Sequence, residues 1–323
     1  MGNYLSSNHF PVDGKTIVIT GGSSGMGLSV GQQLAGKGAN VVIVARDQGK
    51  LLHAIEEIRQ AAKDPQTQRF LQLPADLTVP TEPVRVIEEI VSWNSGNPPD
   101  TVWCCAGASI PGLFIETPLS DFQAQMNSNY FSSLYMAHTI MRTWIQTAQK
   151  NQASSSGEKP SSPIAPHHLI FTASFLAFYS FTGYSPYSPT KAALRSLCDT
   201  LSQEANLYAA AYPNEPAIRL HTIFPATIFT ASYELENTIK ADVTKKLEET
   251  DDGQTPEVVA AESIKGLESG LELVSTNLIT SLVQRTWLMG LVMVFVRGDM
   301  DIKVRKWGRE HGAVGRKTDD KKA

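Results

Sequence analysis

The stretch Thr16-Ile-Val-Ile-Thr-Gly-Gly-Ser-Ser-Gly-Met-Gly27 decides the fold of this protein. Its apolar, β-branched beginning predicts a buried strand, and a helical pattern opens at Gly25. Glycines in a strand-to-helix turn permit a tight backbone path and let a pyrophosphate approach the helix N-terminus. A glycine-rich turn without a ligand is the alternative, but the position between first strand and first helix favours a dinucleotide site. Its predicted contacts are Gly21, Ser23, Ser24, Gly25 and Gly27.

Strand and helix patterns alternate through the rest of the chain. Apolar strands that alternate with amphipathic helices predict a parallel sheet covered on both faces. The fold class is therefore α/β, a Rossmann-type doubly wound parallel sheet in a single domain. The predicted strands are 16–20, 40–45, 69–73, 101–105, 168–172 and 219–224, and the predicted helices are 25–37, 48–62, 83–93, 121–149 and 188–211.

The 323 residues divide into a catalytic domain and two terminal segments. Residues 15–275 are predicted to form the dinucleotide-binding domain, preceded by a leader over 1–14. Residues 151–166 are rich in Ser and Pro and predict a flexible surface loop, with an interdomain linker as the less favoured alternative. Residues 276–323 form a hydrophobic and basic C-terminal extension, which either associates with a membrane or packs on the protein.

Composition excludes several classes of function. A formal net charge of −4 argues against a nucleic-acid-binding protein. Three cysteines, Cys104, Cys105 and Cys198, are too few and too poorly spaced for a disulfide framework or a zinc site. We therefore expect no bound metal and a reducing compartment.

Tyr187 and Lys191 indicate proton-transfer chemistry. Residues four apart lie on the same face of a helix, so the ammonium group is expected to lower the pKa of the phenol. Ser174 lies just upstream and could bind the same substrate oxygen.

The end of the second strand indicates which dinucleotide binds. Arg46 stands there, with Lys50 one helical turn further, and a guanidinium suits the 2′-phosphate of NADP. Asp47 is expected to cap the helix that starts at Gln48 rather than to hold the ribose of NAD. Asp76 and Leu77, just past the third strand, either meet the adenine or form a simple turn.

Residues 15–230 resemble the short-chain dehydrogenase/reductase family, and the motifs occur in the family's order. The glycine turn and Ala106-Gly107 are similar to its cofactor motifs, although Cys105 replaces an expected Asn. The resemblance implies that Asn129, Ser174, Tyr187 and Lys191 form a catalytic tetrad, and that Gly107, Tyr187 and Lys191 contact the cofactor.

The resemblance also implies a role for each member of the tetrad. Ser174 would hydrogen-bond the substrate carbonyl and Tyr187 would donate its proton, while a bound NADPH supplies hydride. Lys191 would also bind the nicotinamide ribose, and Asn129 would position a water that relays protons to Lys191.

Aromatic density between Ser174 and Tyr187 favours a long-chain lipid ketone as substrate, although core packing is an alternative for each side chain. Within the family, residues 183–197, together with 22–27 and 44–46, resemble the eukaryotic 3-ketodihydrosphingosine reductases, which reduce 3-ketosphinganine to sphinganine with NADPH. The alternatives are a reductase of 3-ketoacyl or steroid ketones and a nonenzymatic NADP-binding sensor or scaffold. The aromatic and apolar residues concerned are Phe175, Leu176, Phe178, Tyr179, Phe181 and Tyr184.

The subgroup resemblance implies a location at the endoplasmic reticulum membrane, with the catalytic domain facing the cytosol. Residues 287–296 are strongly apolar with basic flanks, which suits a membrane surface but is too short for a confident span. A buried helix or a dimer contact is the alternative. Gly2 fits the pattern for myristoylation or belongs to an unmodified leader. The long helices near Asp121 and Ser188 make a homo-oligomer an expectation by analogy.

Overall fold

The computed structural model describes residues 8–154 and 164–287. In this part of the chain, seven parallel strands form one sheet in the order β3-β2-β1-β4-β5-β6-β7. This confirms the predicted doubly wound α/β fold. The strands are β1 (Thr16–Thr20), β2 (Asn40–Ala45), β3 (Phe70–Pro74), β4 (Thr101–Cys104), β5 (His167–Thr172), β6 (Ile218–Phe224) and β7 (Leu273–Ser275).

Helices cover both faces of the sheet. A π-helical turn, Met126–Phe131, joins the fourth and fifth helices, and a short 3-10 turn, Phe175–Ala177, follows β5. The helices are α1 (Gly25–Gly36), α2 (Gln48–Gln60), α3 (Glu82–Trp93), α4 (Leu119–Gln125), α5 (Ser132–Ser154), α6 (Ser188–Ala211), α7 (Ala231–Ile239), α8 (Asp242–Glu248), α9 (Pro256–Glu268) and α10 (Leu278–Trp287).

The core has two layers, one on each face of the sheet. Alternate side chains of a strand point to opposite faces, so Ile17 and Ile19 pack beneath α1, α2 and α9. Val18 points the other way and packs with side chains of α3, α5 and α6. All five residues of β1 are buried, because the strand lies at the centre of a sheet covered twice.

The terminal segments differ in part from expectation. Within the expected leader, Phe10 is only 1% exposed and packs in the core, and the His9 amide donates to the Glu268 carbonyl at 2.9 Å. Residues 8–14 therefore pack as part of the domain. Residues 151–154, the start of the predicted surface loop, belong instead to α5, which continues through Ser154.

Three expected features fall wholly or partly outside the described residues. Residues 155–163 of the predicted loop and 288–296 of the apolar stretch are among them, as is Gly2. Within 8–154 and 164–287, none of the helices combines the length and apolarity needed to cross a membrane.

Candidate active site

The glycine turn lies at the carboxyl edge of the sheet, where the chain order reverses between β1 and β4. Connections leave to opposite sides at this point, which opens the crevice where doubly wound folds bind ligands. Gly21 has φ +67°, and a Cβ there would lie 2.9 Å from the Ala106 backbone. A Cβ on Gly27 would lie 2.4 Å from the Gly21 carbonyl oxygen. Side chains are thus excluded at both positions by backbone that cannot rotate away.

The N-terminus of α1 faces this crevice with its amides uncapped. Ser24 occupies the N-cap position without a side-chain hydrogen bond to the helix, and the first turn carries no acidic residue. Gly25 has φ +52°, and its Cβ would lie 3.3 Å from the Thr230 side chain. Free backbone N–H groups and the helix dipole favour an anion here, so the turn fits a dinucleotide pyrophosphate.

The residues expected to bind the adenosine end of the dinucleotide lie just beyond the carboxyl ends of β2 and β3. Arg46 is exposed, and Asp47 accepts a hydrogen bond from the Lys50 amide at 3.0 Å, which confirms its capping role. Asp76 accepts from the Thr78 amide and hydroxyl at 3.0 and 2.7 Å. The bond from the Thr78 hydroxyl is the main cause that lowers the pKa of Asp76, and the charge of Arg46 adds to it. The Leu77 side chain, by contrast, packs in the core at 5% exposure.

Ser174, Tyr187 and Lys191 come together at the carboxyl end of β5. Tyr187 is the N-cap residue of α6, and Lys191 stands one turn into that helix. The Lys191 ammonium donates to the Thr172 carbonyl at 2.9 Å and lies 5.6 Å from the centroid of the Tyr187 ring. The Ser174 hydroxyl hydrogen-bonds Tyr187 and accepts from the Leu176 amide at 3.1 Å. The trio expected from sequence is therefore assembled.

The electrostatics of the trio differ from expectation. Burial raises the pKa of Tyr187, and the negative charge of Glu236 raises it further, while the hydrogen bond from Ser174 lowers it. Burial also lowers the pKa of Lys191 to about 8. The net shift of Tyr187 is opposite to the one expected from its spacing with Lys191, because desolvation of the phenolate outweighs the favourable interactions. Tyr187 is accordingly a protonated donor at neutral pH.

Asn129 anchors the loop that follows β4. Its side chain is fully buried in the π-helical turn, and it both accepts from the Ala108 amide and donates to the Ala108 carbonyl, at 2.8 and 2.9 Å. It also donates to Gln125 at 3.3 Å. Both of its N–H groups are therefore used within the protein, and the water relay implied by family resemblance stays a prediction. A Cβ on Gly107 would lie 2.7 Å from the Asn129 oxygen, so this loop packs tightly.

Cys105, where the family motif has Asn, is held by other contacts. Its amide donates to the Thr20 carbonyl at 3.2 Å, and its sulfur accepts from the Thr172 hydroxyl at 3.5 Å. The Thr20 hydroxyl accepts from the Ala106 amide at 3.1 Å. Burial raises the pKa of the Cys105 thiol to about 12, so it is neutral and packs as a structural side chain.

A cavity of about 480 Å³ opens beside the trio. The Phe178 side chain packs instead against Phe224 in the core, with ring centroids 4.4 Å apart, so for this residue the core alternative is correct. The other five members of the apolar stretch line the cavity, as expected for a lipid site: Phe175, Leu176, Tyr179, Phe181 and Tyr184.

Charged residues of α7 and α8 form part of the same wall, and sequence reasoning missed them. Glu236 and Glu248 line the cavity, and the Tyr184 hydroxyl lies 2.7 and 2.5 Å from their carboxylates. Lys240 is fully buried and pairs with both carboxylates, at 3.1 and 2.6 Å. The four-residue spacing of Glu236 and Lys240 was the only local signal, and helical pairs of this kind are common on surfaces.

Comparison with known proteins places this geometry in a family. The family model described as short chain dehydrogenase matches residues 15–238. The chain is 43% identical to the 3-ketodihydrosphingosine reductase of Aspergillus fumigatus, over 95% of this chain and 88% of that protein. It is 39% identical to the 3-ketodihydrosphingosine reductase of Neurospora crassa, over 97% of this chain and 87% of that protein.

Solved structures agree at the level of the fold. A short-chain dehydrogenase from Sphingobium yanoikuyae in complex with NADPH has a TM-score of 0.65 and 19% sequence identity, covering 88% of this chain and 95% of that one. A short-chain type dehydrogenase/reductase from Mycobacterium marinum has a TM-score of 0.66 and 20% identity, covering 83% and 96%. With the sheet order, the glycine turn and the Ser, Tyr and Lys trio already in place, the family model and the two reductase relatives show that the chain belongs to the short-chain dehydrogenase family.

Proposed function

We propose that this protein is an NADPH-dependent reductase that converts 3-ketosphinganine to sphinganine in sphingolipid biosynthesis. The observation that carries the proposal is the assembled trio of Ser174, Tyr187 and Lys191 beside an aromatic cavity. The relatives that match nearly the whole chain are themselves 3-ketodihydrosphingosine reductases, which supports this substrate.

The trio suits proton donation to a ketone oxygen. The Ser174 and Tyr187 hydroxyls lie side by side, so each can turn its single proton from their mutual hydrogen bond towards a carbonyl oxygen bound between them. Tyr187 keeps its proton at neutral pH because burial raises its pKa, and it transfers that proton as the oxygen becomes an alkoxide. When bound, NADPH supplies the hydride that reduces the carbonyl carbon. Lys191 places its positive charge near the resulting tyrosinate and offers N–H donors to the nicotinamide ribose.

The choice of NADPH over NADH rests on the adenosine end of the crevice. Arg46 is exposed at the end of β2, and Lys50 is exposed in the first turn of α2. A guanidinium binds a phosphate through paired, charge-assisted hydrogen bonds, which the 2′-hydroxyl of NADH cannot match. Asp47 does not oppose this assignment, because its side chain is engaged in capping α2.

The proposal includes action at the cytosolic face of the endoplasmic reticulum membrane. The substrate is a long-chain lipid, and α10 exposes Leu278, Ile279 and Leu282 just before the apolar stretch 287–296. Exposed apolar side chains next to a basic, Trp-containing flank favour an interfacial location. Membrane fractions washed with high salt should retain the protein, and detergent should release it. Release by salt alone contradicts hydrophobic attachment.

A direct assay tests the activity. Purified full-length protein should consume NADPH when 3-ketosphinganine is added, and mass spectrometry should identify sphinganine as the product. Tyr187→Phe should lower kcat by at least about a hundredfold, because general acid catalysis of this kind contributes about 10²–10⁴. An unaltered NADPH affinity in this variant separates loss of chemistry from loss of the fold. Binding of NADPH without turnover of this ketone would refute the proposed activity.

A further inference from the structure

Tyr184, Glu236 and Glu248 line the active-site cavity and form a buried charged cluster with Lys240, which pairs with both carboxylates. Lys240 is 0% exposed at its side chain, and the carboxylates of Glu236 and Glu248 are 12% and 9% exposed. Burying charge in this way is costly unless the charges are paired and hydrogen-bonded. Two carboxylates share one cation, Lys240, and one hydroxyl proton, that of Tyr184. The cluster therefore keeps an excess negative charge.

Glu236 has unused hydrogen-bonding capacity. Its contacts with the Tyr184 hydroxyl and with Lys240 both involve Oε1, at 2.7 and 3.1 Å. Among residues 8–154 and 164–287, its Oε2 atom has no hydrogen-bond partner. Glu248, in contrast, uses Oε1 for Tyr184 and Oε2 for Lys240. A free carboxylate oxygen at the wall of a cavity is a site for a cationic donor.

The charges along the rest of the cavity reinforce this preference. Among the described residues that line it, Lys191 is the one cation, and the carboxylates are Glu236, Glu248, Asp251 and Asp252. The Thr280 hydroxyl also belongs to this wall; the residue is 0% exposed, and its oxygen has no partner within the described chain. An unpartnered buried hydroxyl independently indicates a ligand with polar groups. A purely alkyl ketone has no group to pair with these carboxylates, and the cofactor is itself an anion. Neither ligand therefore explains why this wall of the cavity is acidic.

We infer that Glu236 binds the protonated C2 amine of the substrate and thereby selects 2-amino ketones over neutral ketones. The inference rests on the proposed function, because 3-ketosphinganine carries its amino group on the carbon next to the ketone. Lys240 and Glu248 hold Glu236 in place, so little ordering is needed when the substrate binds.

The position of Glu236 relative to Tyr187 agrees with this geometry. Tyr184, which bonds Glu236, packs edge-on against Tyr187 with ring centroids 6.1 Å apart. The negative charge of Glu236 also contributes to the raised pKa of Tyr187, so the two groups lie within electrostatic reach. A substrate whose carbonyl oxygen meets Tyr187 has its amine on the carbon next to the reacting centre, so a carboxylate as near to Tyr187 as Glu236 is can also reach the amine.

The test compares two ketones in two variants. One ketone is 3-ketosphinganine, and the other is the analogue in which hydrogen replaces the C2 amino group. Glu236→Gln keeps the size of the side chain and removes its charge, and it should lower kcat/KM for 3-ketosphinganine by about 10- to 100-fold, the scale of one charge-assisted hydrogen bond. The same variant should leave kcat/KM for the neutral analogue unchanged or higher. Glu234→Gln, on the exposed face of α7, is the matched control and should affect neither substrate.

The outcomes separate the two levels of the proposal. An equal loss on both ketones in Glu236→Gln would assign Glu236 a purely structural role and overturn the inference, while the proposed function stands. Equal kcat/KM of the unsubstituted protein for both ketones would also overturn it. No turnover of 3-ketosphinganine by the unsubstituted protein would overturn the proposed function itself. A selective loss on the amino ketone supports both.

Discussion

Replacing Asn129 by alanine should destabilise the protein and loosen the loop after β4. The Asn129 side chain supplies the Ala108 amide with an acceptor and the Ala108 carbonyl with a donor, and it donates to the buried Gln125 oxygen. All three bonds are lost in Asn129→Ala. Because Asn129 is fully buried, the smaller alanine also leaves a small cavity in the π-helical turn. The perturbation thus acts on the segment that includes Gly107.

The expected size follows from these contacts. A hydrogen bond contributes about 0.5–1.5 kcal/mol net, and a buried group left without a partner costs about 1–3 kcal/mol. Because Ala108 is exposed, water can partly replace Asn129 there. Gln125 is 1% exposed, and among the described residues its side-chain oxygen keeps only the Ile110 amide, at 3.3 Å. The free energy of unfolding should therefore fall by about 2–4 kcal/mol. The KM for NADPH should rise as well, because the loop that includes Gly107 borders the cavity.

Urea denaturation followed by circular dichroism measures this change as a lower midpoint at an unchanged slope. Asn127→Ala is the matched control, since Asn127 lies in the same π-helical turn but its side chain, within the described part of the chain, only accepts an exposed hydrogen bond from Gln123. It should shift stability by less than about 0.5 kcal/mol. Equal midpoints for the two variants would refute the anchoring role of Asn129.

Three further substitutions or conditions test the cofactor site and the trio. Gly27→Ala places a Cβ 2.4 Å from a backbone oxygen, and calorimetry should show a Kd for NADPH raised at least about tenfold. Gly36→Ala, at the exposed end of α1, is the control and should leave this Kd unchanged; equal affinities of the two variants contradict the steric argument. Arg46→Ala should lower kcat/KM with NADPH by about 10- to 100-fold and leave kcat/KM with NADH unchanged, while Arg59→Ala, at another exposed arginine, is the control. A loss of kcat/KM with both cofactors would count against 2′-phosphate recognition. Burial lowers the pKa of Lys191 from 10.5 to about 8, so its positive charge is lost as pH rises through 8. The rate of ketone reduction should therefore fall above pH 8, and a rate that stays level across this range contradicts a catalytic role for the charge of Lys191. The buried charge of Lys191 also lowers the free energy of unfolding below pH 8, because the folded state holds this proton less tightly than the unfolded chain does. The contribution of Lys191 to stability should therefore improve as pH rises from 8 towards 10.5, and thermal unfolding across that range measures the change.

Local patterns predicted most strands well, and tertiary context decided the rest. The first six strands were each predicted to within one residue, because each is a short apolar run bounded by turn residues, even though β3 at the sheet edge is only partly buried. β7 has only three residues, too few for a pattern to stand out. The predicted helix 121–149 begins earlier and is interrupted by a π-helical turn, which places Asn129 against Ala108. A periodicity of apolar residues does not encode that insertion.

The electrostatic expectation for Tyr187 shows a second limit. Its four-residue spacing from Lys191 is visible in sequence, but the spacing gives no information on burial. Only the packed structure shows that desolvation controls the pKa of both groups, and that Glu236 from a different helix adds to the shift.

The sequence by itself determined the parallel sheet, the glycine turn and the identities of Ser174, Tyr187 and Lys191, because these depend on short-range pattern and on residues with few substitutes for their chemistry. Tertiary structure alone decided which aromatic side chains face the cavity, how Asn129 is used, and that Glu236 and Glu248 stand beside Tyr184. The two glutamates lie 52 and 64 residues along the chain from Tyr184. Contacts over such separations arise from how α7 and α8 fold over the carboxyl edge of the sheet, and no local spacing records them.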